Sequence, residues 1–137
     1  MKTKVVYFTK SGHTETIAKA IAEELNTEAS TIDDPLTEQV DILFLGASLY
    51  KMGIDKKVLA FVDSLDATKI GNVVLFSTSA LSDSGYGKLK KRLEDKGISV
   101  RSEHFHCKGA FMLLNKHRPN TDDVIAAKKF ASDIVQS

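Results

Sequence analysis

Tryptophan is absent from this chain, cysteine occurs once and proline twice, and no apolar run comes near the roughly 20 residues that a membrane helix needs. Each shortage closes something off. A single cysteine, Cys107, rules out an internal disulfide and agrees with a reducing compartment. Two prolines, Pro35 and Pro119, and no low-complexity tract leave no linker, so the 137 residues are expected to form one domain spanning residues 1–137. The start Met1-Lys2-Thr3-Lys4 leads into a short strand-like run, not a signal peptide, and a soluble cytoplasmic protein is expected. Charge of one sign is missing too. With 19 basic and 18 acidic side chains the net charge is +1, which gives no overall field to draw nucleic acid or an anionic membrane.

What the chain does have is a regular alternation of two periods. Lys4 to Phe8, Ile42 to Leu45 and Val73 to Phe76 are continuously apolar, as strands buried on both faces of a parallel sheet must be. Between and after them come helical patterns: Ile17, Ala18, Ile21, Ala22 and Leu25; Val58, Phe61, Val62 and Leu65; Tyr86, Leu89 and Leu93, which Gly97 can terminate. Val124, Ala127, Phe130, Ala131 and Ile134 mark a last helix, opened by Asn120 or Thr121 after Pro119. Weaker strands fit near Ala29 to Ile32 and Glu103 to Cys107, whereas Asp33 to Val40 has room for only a turn or two of helix. Strands alternating with helices predict a doubly wound, right-handed α/β sandwich around a five-stranded parallel sheet.

Ligands bind such sheets outside the carboxyl ends of the strands, where the winding direction reverses. Three loops are expected there, beginning at Thr9, Gly46 and Ser77. The first, Thr9-Lys10-Ser11-Gly12-His13-Thr14, offers hydroxyls, a glycine backbone and the start of a helix, whose unpaired N–H groups and positive dipole end suit a phosphate. No Gly-Lys-Ser/Thr triplet closes it and two of the three dinucleotide glycines are missing, so it is neither a Walker loop nor a Rossmann fingerprint. Gly46-Ala47-Ser48-Leu49-Tyr50-Lys51-Met52-Gly53 adds an aromatic and a thioether, and Ser77-Thr78-Ser79-Ala80 through Gly85-Tyr86 adds small hydroxyl residues and a second aromatic. A planar ring on a phosphorylated chain fits three such loops, and flavin mononucleotide (FMN) answers that description.

At this point the chain resembles the flavodoxin family. Val5 to Ile21 meets its signature of two aliphatics, an aromatic, a hydroxyl, Gly, Thr, Ala and an aliphatic, at Val5, Val6, Tyr7, Thr9, Gly12, Thr14, Ala18 and Ile21. Flavodoxins are the standard case of strand order 2-1-3-4-5 and of a site at its switch point, so the resemblance implies both. Tyr50 stands where many members place a stacking Trp, and Met52 where some short members place a Met; either can cover the inner ring face. Tyr86 resembles the tyrosine on the outer face, and the absence of an extra loop in the fifth strand points to the short-chain class. The resemblance implies non-covalent FMN, no catalytic residues of the chain's own, and a monomeric electron carrier working with a reductase and an acceptor protein. Gly53 would turn its carbonyl toward the reduced ring, since a glycine peptide rotates freely.

The family's acidic surface is not reproduced here. Lys51, Lys56 and Lys57 flank the second loop, and Lys88, Lys90, Lys91 and Arg92 crowd the third helix. The charges of that helix read as a solvated face, whereas Lys51, inside the second loop, would favour a reduced anionic ring, or draw an anionic substrate or an acidic partner. Flavodoxin-like domains also serve as quinone or NAD(P)H oxidoreductases and as protoporphyrinogen oxidase, whose loop Gly46 to Tyr50 resembles as well. No metal site is expected. Strand alternation sends His104 and His106 to one face and Cys107 to the other, and Cys107 reads as a small buried hydrophobe. Asp33 and Asp34 follow the second strand, not the first, which argues against a phosphoacceptor receiver of the same fold.

Overall fold

The computed structural model of the chain describes residues 1–9, 12–48, 54–79, 86–108 and 119–136. The apolar runs become strands and the amphipathic stretches helices, in the order β1 (Thr3–Phe8), α1 (His13–Glu24), β2 (Ala29–Thr31), β3 (Val40–Ser48), α2 (Lys56–Ser64), β4 (Ile70–Ser79), α3 (Tyr86–Asp95), β5 (Val100–Lys108) and α4 (Thr121–Gln136). All strand pairs are parallel and the sheet order is β2-β1-β3-β4-β5, as the flavodoxin resemblance implied. Residues 32–39 carry no helix. A turn in which the Asp34 N–H donates to the Thr31 carbonyl at 3.2 Å starts the crossing to β3.

Strand alternation divides the core in two. Val6, Leu43, Leu45, Val73 and Leu75 face α2 and α3, meeting Val58, Phe61, Val62, Leu89 and Leu93. Val5, Tyr7, Phe44, Val74 and Phe76 face α1 and α4, meeting Ile17, Ile21, Ala127, Ala131 and Ile134. Phe44, Ile17, Leu43, Leu93 and Val5 lose essentially all their exposure, and each such side chain contributes about 1.5–3 kcal/mol relative to remaining in water. His104 pairs with Leu75 and His106 with Ser77, while Cys107 lies in the α1/α4 core, so the separation read from alternation is the one the sheet has.

Helix ends are set by local chemistry. At α1 the Thr27 N–H donates to the Ala22 carbonyl at 2.9 Å and the Asn26 N–H to Glu23, with Asn26 at φ 54. α3 ends the same way, with Ile98 N–H on Leu93, Gly97 N–H on Glu94 and Gly97 at φ +84. Both are left-handed stops in which the residue after the turn returns to an earlier carbonyl. α4 opens on a reciprocal pair: Asn120 Oδ1 accepts from the Asp123 N–H at 3.1 Å and Asp123 Oδ2 accepts from the Asn120 N–H at 2.8 Å.

Candidate functional site

The chain leaves β1 through α1 to reach β2 on one side, then arrives at β3 on the other. Crossover helices on opposite faces therefore part at the carboxyl edge of β1 and β3, the position where folds of this kind bind ligands. The residues at that edge are held by one another. Thr9 Oγ1 accepts from the Gly12 N–H at 2.9 Å, and Gly12 sits at φ +88, which an L side chain rarely adopts. Gly12 is also the N-cap of α1 and has no side chain to cap it, so the helix presents its positive end with no side-chain acceptor from that position.

Thr14, the second residue of α1, is fully buried. Its hydroxyl lies 2.8 Å from that of Thr78, 3% exposed, near the end of β4. This contact ties the start of α1 to the end of β4, two strands from β1, across 64 residues of sequence. Hydroxyls, a left-handed glycine and a helix N-terminus are a donor set suited to a phosphate dianion, and the set fits the group read from the sequence. On the outer side of α1, Glu15 is engaged by Lys19 at 2.7 Å and is directed away into that pair. Burial, with the Glu15 carboxylate adding to it, pushes the Tyr7 hydroxyl above its usual value, so it stays protonated at neutral pH.

Not every expected site residue falls where the loops were drawn. Gly46 and Ser77 do not open loops: β3 continues to Ser48 and β4 to Ser79, with Gly46 opposite Phe76, Ser48 opposite Thr78 and Ser79 opposite Lys108. Ladder hydrogen bonds on both sides of an interior strand outweigh the weak strand preference of Gly, Ala and Ser. Gly46 has a steric task instead, since a Cβ there would lie 2.2 Å from the Phe76 ring. Ser77 and Thr78 thus reach the site as strand-end residues, Thr78 on the α1 side. His13 is the first residue of α1. Lys10, Ser11, Leu49, Tyr50, Lys51, Met52, Gly53, Ala80 and Gly85 lie outside the described residues.

Tyr86, the first residue of α3, makes its contacts with β5. Its ring stacks on His104 with centroids 3.8 Å apart and planes at 20°, and its hydroxyl donates to the carbonyls of Arg101 at 2.9 Å and Ser102 at 3.2 Å. These contacts fasten it to β5. Sequence reasoning missed both this stack and the Thr14–Thr78 pair. No local signal marks either, because each depends on which strand the sheet places alongside.

The geometry defines a doubly wound α/β protein with a left-handed glycine, a helix start without a side-chain cap and a buried hydroxyl pair at its switch point. The flavodoxin domain model matches residues 4–118, and the chain belongs to that family. It is 33% identical to the uncharacterized protein MJ0298 of Methanocaldococcus jannaschii, over the full length of both. Among solved structures it is similar to oxidised flavodoxin 2 from Bacillus cereus, with TM-score 0.73, 18% identity and 99% of each chain covered. It is also similar to a short-chain flavodoxin associated with a PDU bacterial microcompartment, with TM-score 0.70, 21% identity, and 99% of this chain and 98% of that one covered. At those identities the two structures share the fold.

Proposed function

We propose that the chain binds FMN at this edge and carries electrons one at a time between redox proteins. The observation that carries the reading is the buried Thr14–Thr78 hydroxyl pair beside the uncapped start of α1, which builds a phosphate cradle at the switch point of a flavodoxin-family sheet. Thr9, Gly12 and Thr14, with Lys10, Ser11 and His13 of the same loop, would hold the phosphate. Ser77 and Thr78 close the cradle from β4, and Tyr50 and Met52 are the candidates for the ring, with Tyr86 a third once released from His104.

Bound FMN supplies reversible electron transfer. The protein's part is to hold the dianion with N–H groups and a helix dipole, to present apolar walls, and to exclude water from the ring. A redox titration followed by absorbance tests this. Two resolved one-electron steps support a carrier, a single two-electron step refutes one, and a colourless protein that cannot be reconstituted with FMN refutes the site.

A second reading, an FMN-dependent oxidoreductase acting on NAD(P)H, a quinone or protoporphyrinogen, draws support from Lys56 and Lys57 beside the second loop. Steady-state turnover of NADPH with a quinone, in the absence of any reductase, would favour it over the carrier.

A further inference from the structure

The net charge of +1 conceals a division between the two helical layers. α2 and α3 together carry six basic and three acidic side chains, whereas α1 and α4 carry three basic and six acidic. Pairing sharpens the contrast. On α1 and α4 each lysine has a carboxylate: Lys19 with Glu15 at 2.7 Å, Lys128 with Glu23 at 3.0 Å and Lys129 with Asp133 at 2.8 Å. On α2 and α3, Arg92 holds Asp63 through two bonds of 3.0 and 2.6 Å and Lys91 reaches Asp95 at 3.4 Å. Among the described residues, Lys56, Lys57, Lys88 and Lys90 are in no ion pair.

These four lysines all lie within the first five residues of α2 or α3; α2 opens on the Asp55 carboxylate, which accepts from the Lys57 N–H at 2.8 Å, and neither helix has an acidic residue within its first turn. Cations there oppose the helix dipole, so the placement works against each helix while reinforcing its positive end. Both ends follow the carboxyl edges of β3 and β4, where the cradle lies. The result is a positive rim around one edge of the site and an acidic layer on the opposite face of the sheet.

We propose that this rim is the docking surface for an acidic redox protein that exchanges electrons with the bound flavin, an inference that rests on the reading of this edge as a flavin site. The four lysines are spread over two helices and are mostly exposed, so they form a broad field, not a clamp for one small anion. Such a field acts by steering a partner that carries many carboxylates, and the acidic α1/α4 layer repels the same partner from the wrong face.

The test measures equilibrium binding of an acidic plant-type [2Fe–2S] ferredoxin, by fluorescence anisotropy, at about 10 mM and about 150 mM salt, where screening lengths are roughly 30 Å and 8 Å. Three proteins are compared: the wild type, a rim variant (Lys56→Gln, Lys57→Gln, Lys88→Gln, Lys90→Gln) and a back-layer variant (Lys19→Gln, Lys128→Gln, Lys129→Gln). At low salt the rim variant should bind about tenfold more weakly while the back-layer variant changes by less than about twofold, and the gap should shrink at high salt. Equal losses in both variants, no loss in either, or tighter binding of a basic cytochrome c or a short DNA duplex than of ferredoxin would overturn the proposal. Flavin absorbance is read on the same samples. Bound flavin without a rim-specific loss overturns the docking surface alone. A rim-specific loss in protein that cannot take up FMN overturns the flavin reading, and with it the redox role of the rim.

Discussion

Replacing Thr78 with Val keeps the shape of the side chain and removes the hydroxyl that lies 2.8 Å from Thr14. The lost bond is worth about 1 kcal/mol net, and setting a methyl against the buried Thr14 hydroxyl adds about another 1 kcal/mol. A loss of about 2 kcal/mol corresponds to a fall in Tm of about 8 °C for a chain of this size. Thr14→Val should cost a similar amount. The double variant removes both hydroxyls and replaces a mismatched pair with an apolar one, so it should be no less stable than the weaker single variant, with a coupling energy of about 1–2 kcal/mol. Urea unfolding of the flavin-free proteins measures the cycle. FMN titration of the same set adds the functional arm, where loosening the tie between α1 and β4 should weaken binding about tenfold, or about 1.4 kcal/mol. Single-variant losses that simply add in the double, to within about 0.5 kcal/mol, would show that the two hydroxyls do not act on each other and would refute the argument that they build the cradle.

Other perturbations check the surrounding structure. Gly46→Ala drives a methyl to within 2.2 Å of the Phe76 ring and should cost about 2–3 kcal/mol by urea denaturation, with Phe76→Leu recovering part of it in the double variant; two additive costs would sink the steric account. Gly12 and Gly97 have similar φ, +88 and +84, and open space where a Cβ would go, so Gly12→Ala and Gly97→Ala should each cost about 1 kcal/mol of stability, while only Gly12→Ala weakens FMN binding. Equal effects on FMN would remove Gly12 from the site. Hydrogen bonds from Arg92, then its charge, hold the Asp63 carboxyl below the usual carboxylate range. A lowered folded-state pKa gives stability that is present above the unfolded value of about 3.9 and is lost as pH falls through the folded one. Asp63→Asn should therefore be less stable than the wild type at neutral pH, with the gap closing below about pH 4 and in high salt; a gap that persists in acid contradicts the assignment.

The continuously apolar runs around Val5, Leu43 and Val74 determined strands buried on both faces, and the spacing of Ile17, Ile21 and their counterparts determined helices that cover them. Periodicity is a local property that the chain carries before it folds, and the glycine at the start of α1 was legible for the same reason, since Gly12 and the helix it opens are contiguous. The boundaries of β3 and β4 were not legible. Gly46 and Ser77 look like loop residues until strands on either side supply a ladder, and only then does Gly46 become a space for Phe76. The same holds for side-chain pairs between distant segments. Thr14 meets Thr78 because the sheet sets β4 two strands from β1, and Tyr86 meets His104 because β5 closes the edge beside α3. Charge by residue was plain in the sequence, but its separation into a basic and an acidic layer appears only when the fold sends α2 and α3 to one face and α1 and α4 to the other. Local periodicity can specify an element; contacts between residues far apart in sequence need strand order and register, which only the tertiary structure decides.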